Sequence, residues 1–218
     1  MPWEDDTVIV KRIVVGVIGT NCYVAYNEGS DRCVLVDPGD DVQKIKDRLD
    51  GFGVKPAVIL LTHGHFDHIW AVPGITAAYP DVKIYAGRGE DALLHDPELN
   101  CTARGHNPMT VNADRLLDDN EEFEAAGLRF TTLAVPGHTA GSVCYYDREN
   151  GILFSGDTLF CGSMGRTDLP TGDERAIFES LVRLRLLPDE TCVYPGHADT
   201  TTIGAEKKTN PYFRESIF

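Results

Sequence analysis

Residues 55 to 61, Lys-Pro-Ala-Val-Ile-Leu-Leu, form a nearly continuous apolar run, and Thr-His-Gly-His-Phe-Asp-His follows at once over residues 62 to 68. A run of this kind is the pattern of a strand buried on both faces, which calls for a sheet with further layers above and below it. The polar cluster therefore begins where a buried strand ends. Along extended chain the side chains alternate, so His63, His65 and Asp67 share one face at a period of two and His68 starts the next element. One short loop thus offers ligands to two neighbouring cations.

A lone histidine at a strand end is ordinarily solvated or caps a turn, but the distribution here is different. The chain has 7 His in 218 residues, and three of them lie beside an aspartate in the 62 to 68 loop. Two more close matching Pro-Gly-His turns after apolar runs: His138 after Leu133-Ala-Val, and His197 after Cys192-Val-Tyr. A further apolar run, Gly151-Ile-Leu-Phe-Ser-Gly-Asp157, delivers an aspartate. Four strand ends that each carry a ligand point to one site.

The order THxHxDH, PGHT, SGDT, PGH resembles the signature of the metallo-β-lactamase superfamily. More narrowly, Val36-Asp-Pro-Gly-Asp40, Ser155-Gly-Asp-Thr-Leu-Phe160, Gly165-Arg-Thr-Asp-Leu-Pro170 and the stretch from Thr202 to Pro211 are similar to short glyoxalase II-like hydrolases. Together these segments span most of the chain. Related thioesterases, lactonases and persulfide dioxygenases share much of the narrower pattern.

Secondary-structure signals agree with such a layout. Strands are predicted near residues 7–18, 21–27, 32–36 and 56–61, a helix near 40–51 with Val42, Ile45 and Leu49 on one face, and a helix after His68 that ends or breaks near Pro73-Gly74. A short strand near 82–85, a short helix near 90–95 and a polar loop over 100–108 follow; loops of this length are often functional. The second half reads as strands near 128–134, 142–147 and 151–155, a helix near 173–186 with Ile177, Leu181 and Leu184 inward, and a strand at 191–194. Both halves run strands, then helix, then strand. That is the layout of a four-layer αβ/βα sandwich with the ligand loops along one edge, here expected as a single domain over residues 1–218.

Composition sets further bounds. With 42% hydrophobic residues the chain has enough apolar material for a sizeable core. Its formal charge of −14 repels phosphate backbones and anionic membrane surfaces, so neither nucleic acid nor membrane is expected as a partner. No apolar stretch approaches the ~20 residues of a membrane span, and the start, Met-Pro-Trp-Glu-Asp-Asp, is acidic where a signal peptide is basic. A cytoplasmic location is the expectation. The 6 Cys form no Cys-x-x-Cys pair, and Cys22, Cys33, Cys144 and Cys192 fall in strand-like runs, which fits buried free thiols.

Imidazole and carboxylate ligands suit zinc, iron or manganese. The resemblance implies that His63, His65 and His138 hold one ion and Asp67, His68 and His197 the other, with Asp157 bridging; Asp67 and Asp157 are the carboxylates placed in the catalytic role. Two divalent ions are expected, zinc first, with iron or manganese as alternatives. Asp37, in the Asp-Pro-Gly turn, is a candidate to orient a ligand histidine, or simply a turn residue before a helix. Tyr145 and Arg166 are candidates for substrate contact, with an Arg166–Asp168 ion pair as the competing reading. His95 and His106 match no motif and are expected not to ligate.

The implied activity is hydrolysis of a 2-hydroxyacyl thioester such as S-lactoylglutathione, by attack of a hydroxide held between two ions on the carbonyl. A lactonase or another thioesterase would use the same machinery. Resembling persulfide dioxygenases bind one iron through the positions of His63, His138 and Asp157 and stand as the alternative class. In β-lactam-hydrolysing members a cysteine commonly stands where this chain has Asp157, and nuclease members carry a large extra domain. Full-length glyoxalase II enzymes continue past the last metal histidine into a helical domain that grips glutathione. Here the chain has only a short segment after His197, in which Lys207, Lys208 and Arg214 read as a solvated basic tail or as contacts to an anionic thiol carrier.

Overall fold

A computed structural model describes residues 7–104 and 107–214; the acidic start at residues 1–6 and His106 lie outside the described residues. The first half of the chain builds one sheet in sequence order: β1 (Val8–Val15), β2 (Thr20–Asn27), β3 (Arg32–Val36), α1 (Val42–Phe52), β4 (Lys55–Leu61), α2 (Phe66–Ile69), α3 (Val72–Ala78), β5 (Lys83–Gly87), α4 (Asp91–Leu94) and β6 (Arg115–Leu117). The second half builds β7 (Glu122–Ala125), β8 (Leu128–Ala134), β9 (Val143–Asp147), β10 (Ile152–Gly156), the small hairpin β11 (Leu159–Phe160) and β12 (Ser163–Met164), α5 (Glu174–Leu184), β13 (Cys192–Pro195), β14 (Thr201–Thr202), α6 (Ile203–Thr209) and α7 (Pro211–Arg214). Its sheet has the order β14-β13-β10-β9-β8-β7.

Period-two alternation sorts each central strand between two cores. In β4, Val58 and Leu60 turn toward the second sheet and meet Phe123, Phe130, Tyr145 and Phe154, while Ile59 and Leu61 turn outward and meet Ile45 and Leu49 of α1 and Ile75 of α3. On the far side, Leu153 of β10 and Val193 of β13 pack against Leu181 and Leu184 of α5, Ile203 of α6 and Phe213 of α7. Helix, sheet, sheet, helix is the four-layer αβ/βα sandwich.

Helix ends follow local chemistry. Gly53, at φ 74°, closes α1 with its N–H on the Leu49 and Asp50 carbonyls, and the Asp173 carboxylate caps α5 by accepting from the Ala176 N–H. The helical stretch after His68 breaks just before Pro73-Gly74, as expected, with α2 ending at Ile69 and α3 starting at Val72. Both residues sit in the first turn of α3, where proline's missing N–H costs nothing.

Strand direction positions the site. β3, β4 and β5 run parallel, so Val36 and Leu61 end at the same edge of the first sheet. β10 is parallel to β13, and β8 shares their direction because β8 and β10 both pair antiparallel with β9. The loops after β4, β8, β10 and β13 therefore meet at the carboxyl ends of their strands, the usual place for a site in such sheets. Among the described residues no helix is long and apolar enough to cross a membrane. All six cysteines are free; Cys22, Cys33, Cys101 and Cys144 are buried, whereas Cys161 and, against the expectation for a strand residue, Cys192 are exposed.

Candidate metal centre

Seven side chains from four loops meet at this edge. One ligand atom from each of His63, His65 and His138 lies within 4.8 Å of the others, and the same holds for Asp67, His68 and His197. Nδ1 of His65 stands 2.9 Å from Nε2 of His138, near the separation of about 3.3 Å that two nitrogens on one tetrahedral ion show. In the other triad Nε2 of His197 is 3.2 Å from Oδ2 of Asp67.

Asp157 lies between the triads. Its Oδ1 is 3.4 Å from Nε2 of His68, and its Oδ2 is 3.7 Å from Nε2 of His138 and 3.4 Å from Nε2 of His197. Two close approaches of backbone make this packing possible. A Cβ on Gly196 would fall 2.2 Å from Oδ1 of Asp157, and one on Gly39 would fall 1.6 Å from the Asp67 carbonyl oxygen, so any side chain at either position would drive a loop out of place.

Whether this donor set fits cations is answered by its unpaired atoms. Nε2 of His63, His65 and His68 and Oδ1 of Asp157 are buried with no hydrogen-bond partner among the described residues. Each such atom costs about 1–3 kcal/mol if left unsatisfied, and the three at His63, His68 and Asp157 suit divalent cations, to which His65 offers Nδ1 instead. Burial, with the neighbouring imidazoles adding to it, holds His63 well below its ordinary pKa and brings His65 down to about 3, so both are neutral and able to ligate. For His68 burial works in the same direction, but the carboxylates of Asp67, Asp157 and Asp37 outweigh it and raise the ring well above its ordinary value. Burial also pushes Asp67 upward and is outweighed by His68, His197 and Thr20, leaving that carboxyl well below its usual range.

The imidazoles are held from behind. Nδ1 of His68 donates to Oδ2 of Asp37 at 3.0 Å, and the other oxygen of Asp37 accepts from the Thr62 N–H at 2.8 Å. The backbone at Asp37 is left-handed, φ 49°, as the Asp-Pro-Gly turn brings its carboxylate back under the loop. Nδ1 of His138 donates to the Arg166 carbonyl at 2.7 Å. With the proton fixed on Nδ1, the Nε2 lone pairs of His68 and His138 face the cluster.

A cleft of about 390 Å³ opens over the cluster. Its floor is His65, Asp67, His138, Asp157 and His197, one wall is Ile18, Phe66, Trp70 and Leu169, and Arg104, Arg166 and Cys101 complete the rim. The 100–108 loop thus reaches the cleft through Cys101 and Arg104. Arg166 lines the cleft, and its guanidinium makes the bidentate pair with Asp168, at 2.6 and 2.7 Å, of the competing reading.

Tyr145 corrects the sequence expectation. It is fully buried between the sheets, beside Phe123, and its hydroxyl donates to the Leu61 carbonyl at 2.8 Å, so it cannot touch a substrate in the cleft. Lys207 is likewise no solvated tail residue, since its Nζ bonds Asp189 and the Leu187 carbonyl. His95 is exposed and bonded to the Asp91 carbonyl and Asn112, apart from the cluster. Three further residues escaped sequence reasoning: Thr62, Thr20, whose hydroxyl donates to Asp67 at 2.8 Å, and Glu90. Burial pushes the Glu90 carboxyl up to about 7 against the pull of donors on Gly64, Thr139 and Gly141. An acid at the start of a short helix carries no signal of such a role.

The family model described as "Metallo-beta-lactamase superfamily" matches residues 15–197. The chain is 36% identical over 205 residues to the probable metallo-hydrolase YqgX of Bacillus subtilis, covering 93% of this chain and 96% of that protein. It is 33% identical over 211 residues to the hydroxyacylglutathione hydrolase GloC of Haemophilus influenzae, covering 93% and 97%. Among solved structures, the BLEG-1 B3 metallo-beta-lactamase superposes with a TM-score of 0.89 at 38% identity over 95% of this chain and all of that one, and TTHA1623 in a di-iron-bound form with 0.81 at 37% identity over 93% and 99%.

Proposed function

Because the chain belongs to the metallo-beta-lactamase superfamily, we propose that this metallo-hydrolase cleaves an acyl thioester of the S-lactoylglutathione kind at a centre of two divalent ions. The observation that carries this reading is the placement of Asp157 between two complete triads at the floor of the cleft. Similarity to a hydroxyacylglutathione hydrolase supports the substrate class, and similarity to a di-iron-bound protein puts iron beside zinc as the metal.

His63, His65 and His138 would hold one ion, Asp67, His68 and His197 the other, and Asp157 both. Bound there, the ions supply Lewis acidity that makes water a nucleophile near neutral pH and polarises a carbonyl oxygen. Water's oxygen adds to the acyl carbon, the C–S bond breaks, and carboxylic acid and thiol leave. The protein's share is positioning. Asp37 and the Arg166 carbonyl keep His68 and His138 in one tautomer and one orientation. Ile18, Phe66 and Trp70 give the substrate an apolar face, and the guanidinium groups of Arg104 and Arg166 at the rim attract a carboxylate on the thiol carrier.

A second reading, opening of a β-lactam amide, is favoured by one observation, the similarity to BLEG-1. A panel of S-lactoylglutathione, an acyl-CoA, a lactone and a β-lactam, each assayed with metal-replete protein, separates the two. Thiol release from S-lactoylglutathione well above the metal-stripped control is the expected result, and turnover of the β-lactam alone would overturn the assignment.

A further inference from the structure

Glu90 follows β5, at the end of a short 3-10 turn over Arg88–Glu90, and is only 1% exposed. Its Oε1 accepts from the Gly64 N–H at 2.9 Å, its Oε2 from the Thr139 hydroxyl at 2.9 Å, and the Gly141 N–H is a third donor. Gly64 separates His63 from His65, and Thr139 follows His138. One carboxylate is therefore bonded to both segments that carry the three-histidine triad, although those segments leave different sheets.

The surroundings are built for this contact. A Cβ on Gly141 would fall 2.1 Å from the Glu90 nitrogen and 2.5 Å from Oε2, so the 139–142 turn is pressed against the acid. The Thr139 hydroxyl stands 2.6 Å from that of Ser142, which leaves its proton to Glu90 when Ser142 donates. Asp37 is the counterpart in the other triad, since it reaches His68 and Thr62 and no residue of the His138 turn among its hydrogen bonds. Each triad thus has a buried carboxylate behind it. The two differ in that Asp37 touches a ligand ring, whereas Glu90 touches only the backbone and hydroxyl of the residues beside the ligands.

We propose that Glu90 is a positioning residue for the His63, His65 and His138 site, fixing the separation of the Gly64 and Thr139 segments that one cation requires. The inference rests on the two-ion reading above. Carboxylates that orient ligands typically set metal affinity by about 10–100-fold, and the effect here falls on one site of the two.

The test is zinc affinity, read by chelator competition on full-length protein in two backgrounds. His197→Ala disables the second site and reports on the three-histidine site; His65→Ala does the reverse. Glu90→Gln turns one acceptor into a donor that faces donors. It is expected to weaken zinc about 10–100-fold in the His197→Ala background and to leave the His65→Ala background within about twofold. Thr139→Val, which removes one bond and keeps the side-chain shape, is expected to give a smaller loss in the same background, and it carries the test if Glu90→Gln does not fold. Equal weakening in both backgrounds, or none in either, overturns the proposal. Wild-type zinc content is measured first: one ion per chain would sink the two-ion reading and this inference with it, whereas two ions with unchanged affinities in the variants would sink this inference alone.

Discussion

The floor and the wall of the cleft are built by different means. On the floor, His138 is held by the Arg166 carbonyl and Asp67 by Thr20, His68 beneath them is held by Asp37, and the loops that carry them are locked by glycines with no room for a side chain. The wall is held by shape: Phe66 and Trp70 meet edge to face with ring centroids 5.0 Å apart, and Ile18 stands 51% exposed at the tip of the β1–β2 hairpin beside a fully exposed Val17. Polar anchors fix the atoms that would do chemistry, and the surface that would select a substrate is left to apolar contact and exposed loops. Chemistry is therefore harder to change by substitution than selectivity.

The largest expected effect lies at the junction of the triads. Asp157→Ala should remove one ion per chain and cut turnover by several orders of magnitude, because in the proposed centre it would be the carboxylate that both ions share. Metal analysis beside a thioester assay checks this, and the apo protein's melting temperature should stay near wild type since the sheets are held by apolar burial. A variant with two ions and near-normal turnover would erase the distinction between floor and wall. Next in size, Asp37→Asn should weaken metal binding about 10–100-fold, as the acceptor of the His68 Nδ1 proton loses its charge. Chelator competition measures it, and no change would mean that Asp37 only shapes its turn.

A smaller effect is expected on the wall. Arg166→Ala keeps the carbonyl that orients His138 and removes only the guanidinium, so KM should rise by up to about tenfold while kcat holds. A matching fall in kcat would place Arg166 on the floor. The smallest effect belongs to Tyr145→Phe, which removes the hydroxyl bonded to the Leu61 carbonyl. Denaturant unfolding should show a loss of about 1 kcal/mol, and kcat and KM should not move.

The same contrast explains what was legible in the sequence. His63, His65, Asp67 and His68 sit in one stretch after a buried strand, and His138, Asp157 and His197 each follow an apolar run, so both the cluster and the strand ends stand out in one dimension. Four layers follow from Val58, Leu60 and their outward neighbours being apolar alike. Roles that depend on distant contact left no such trace. Tyr145 is near Ser142 and His138 in sequence but points between the sheets, and Glu90 meets Gly64 and Thr139 only once both halves are folded. The segment after His197 looked like a basic tail because Ile203 and Phe213 are isolated apolar residues. In the fold they complete the outer core against α5, and Thr202 caps α6 by accepting from the Ala205 N–H. Ile18, Trp70 and Leu169 of the cleft wall and Arg104 of its rim are four residues with no shared motif.

The central claim is a two-ion hydrolytic centre, and one paired measurement tests it most directly: metal content per chain of the purified wild-type protein, taken with thiol release from S-lactoylglutathione by the same sample. The account predicts two divalent ions per chain and thiol release that is lost on chelation and restored by added metal. One tightly bound iron per chain, with oxygen consumed in the presence of glutathione persulfide and no thiol released from the thioester, would contradict it.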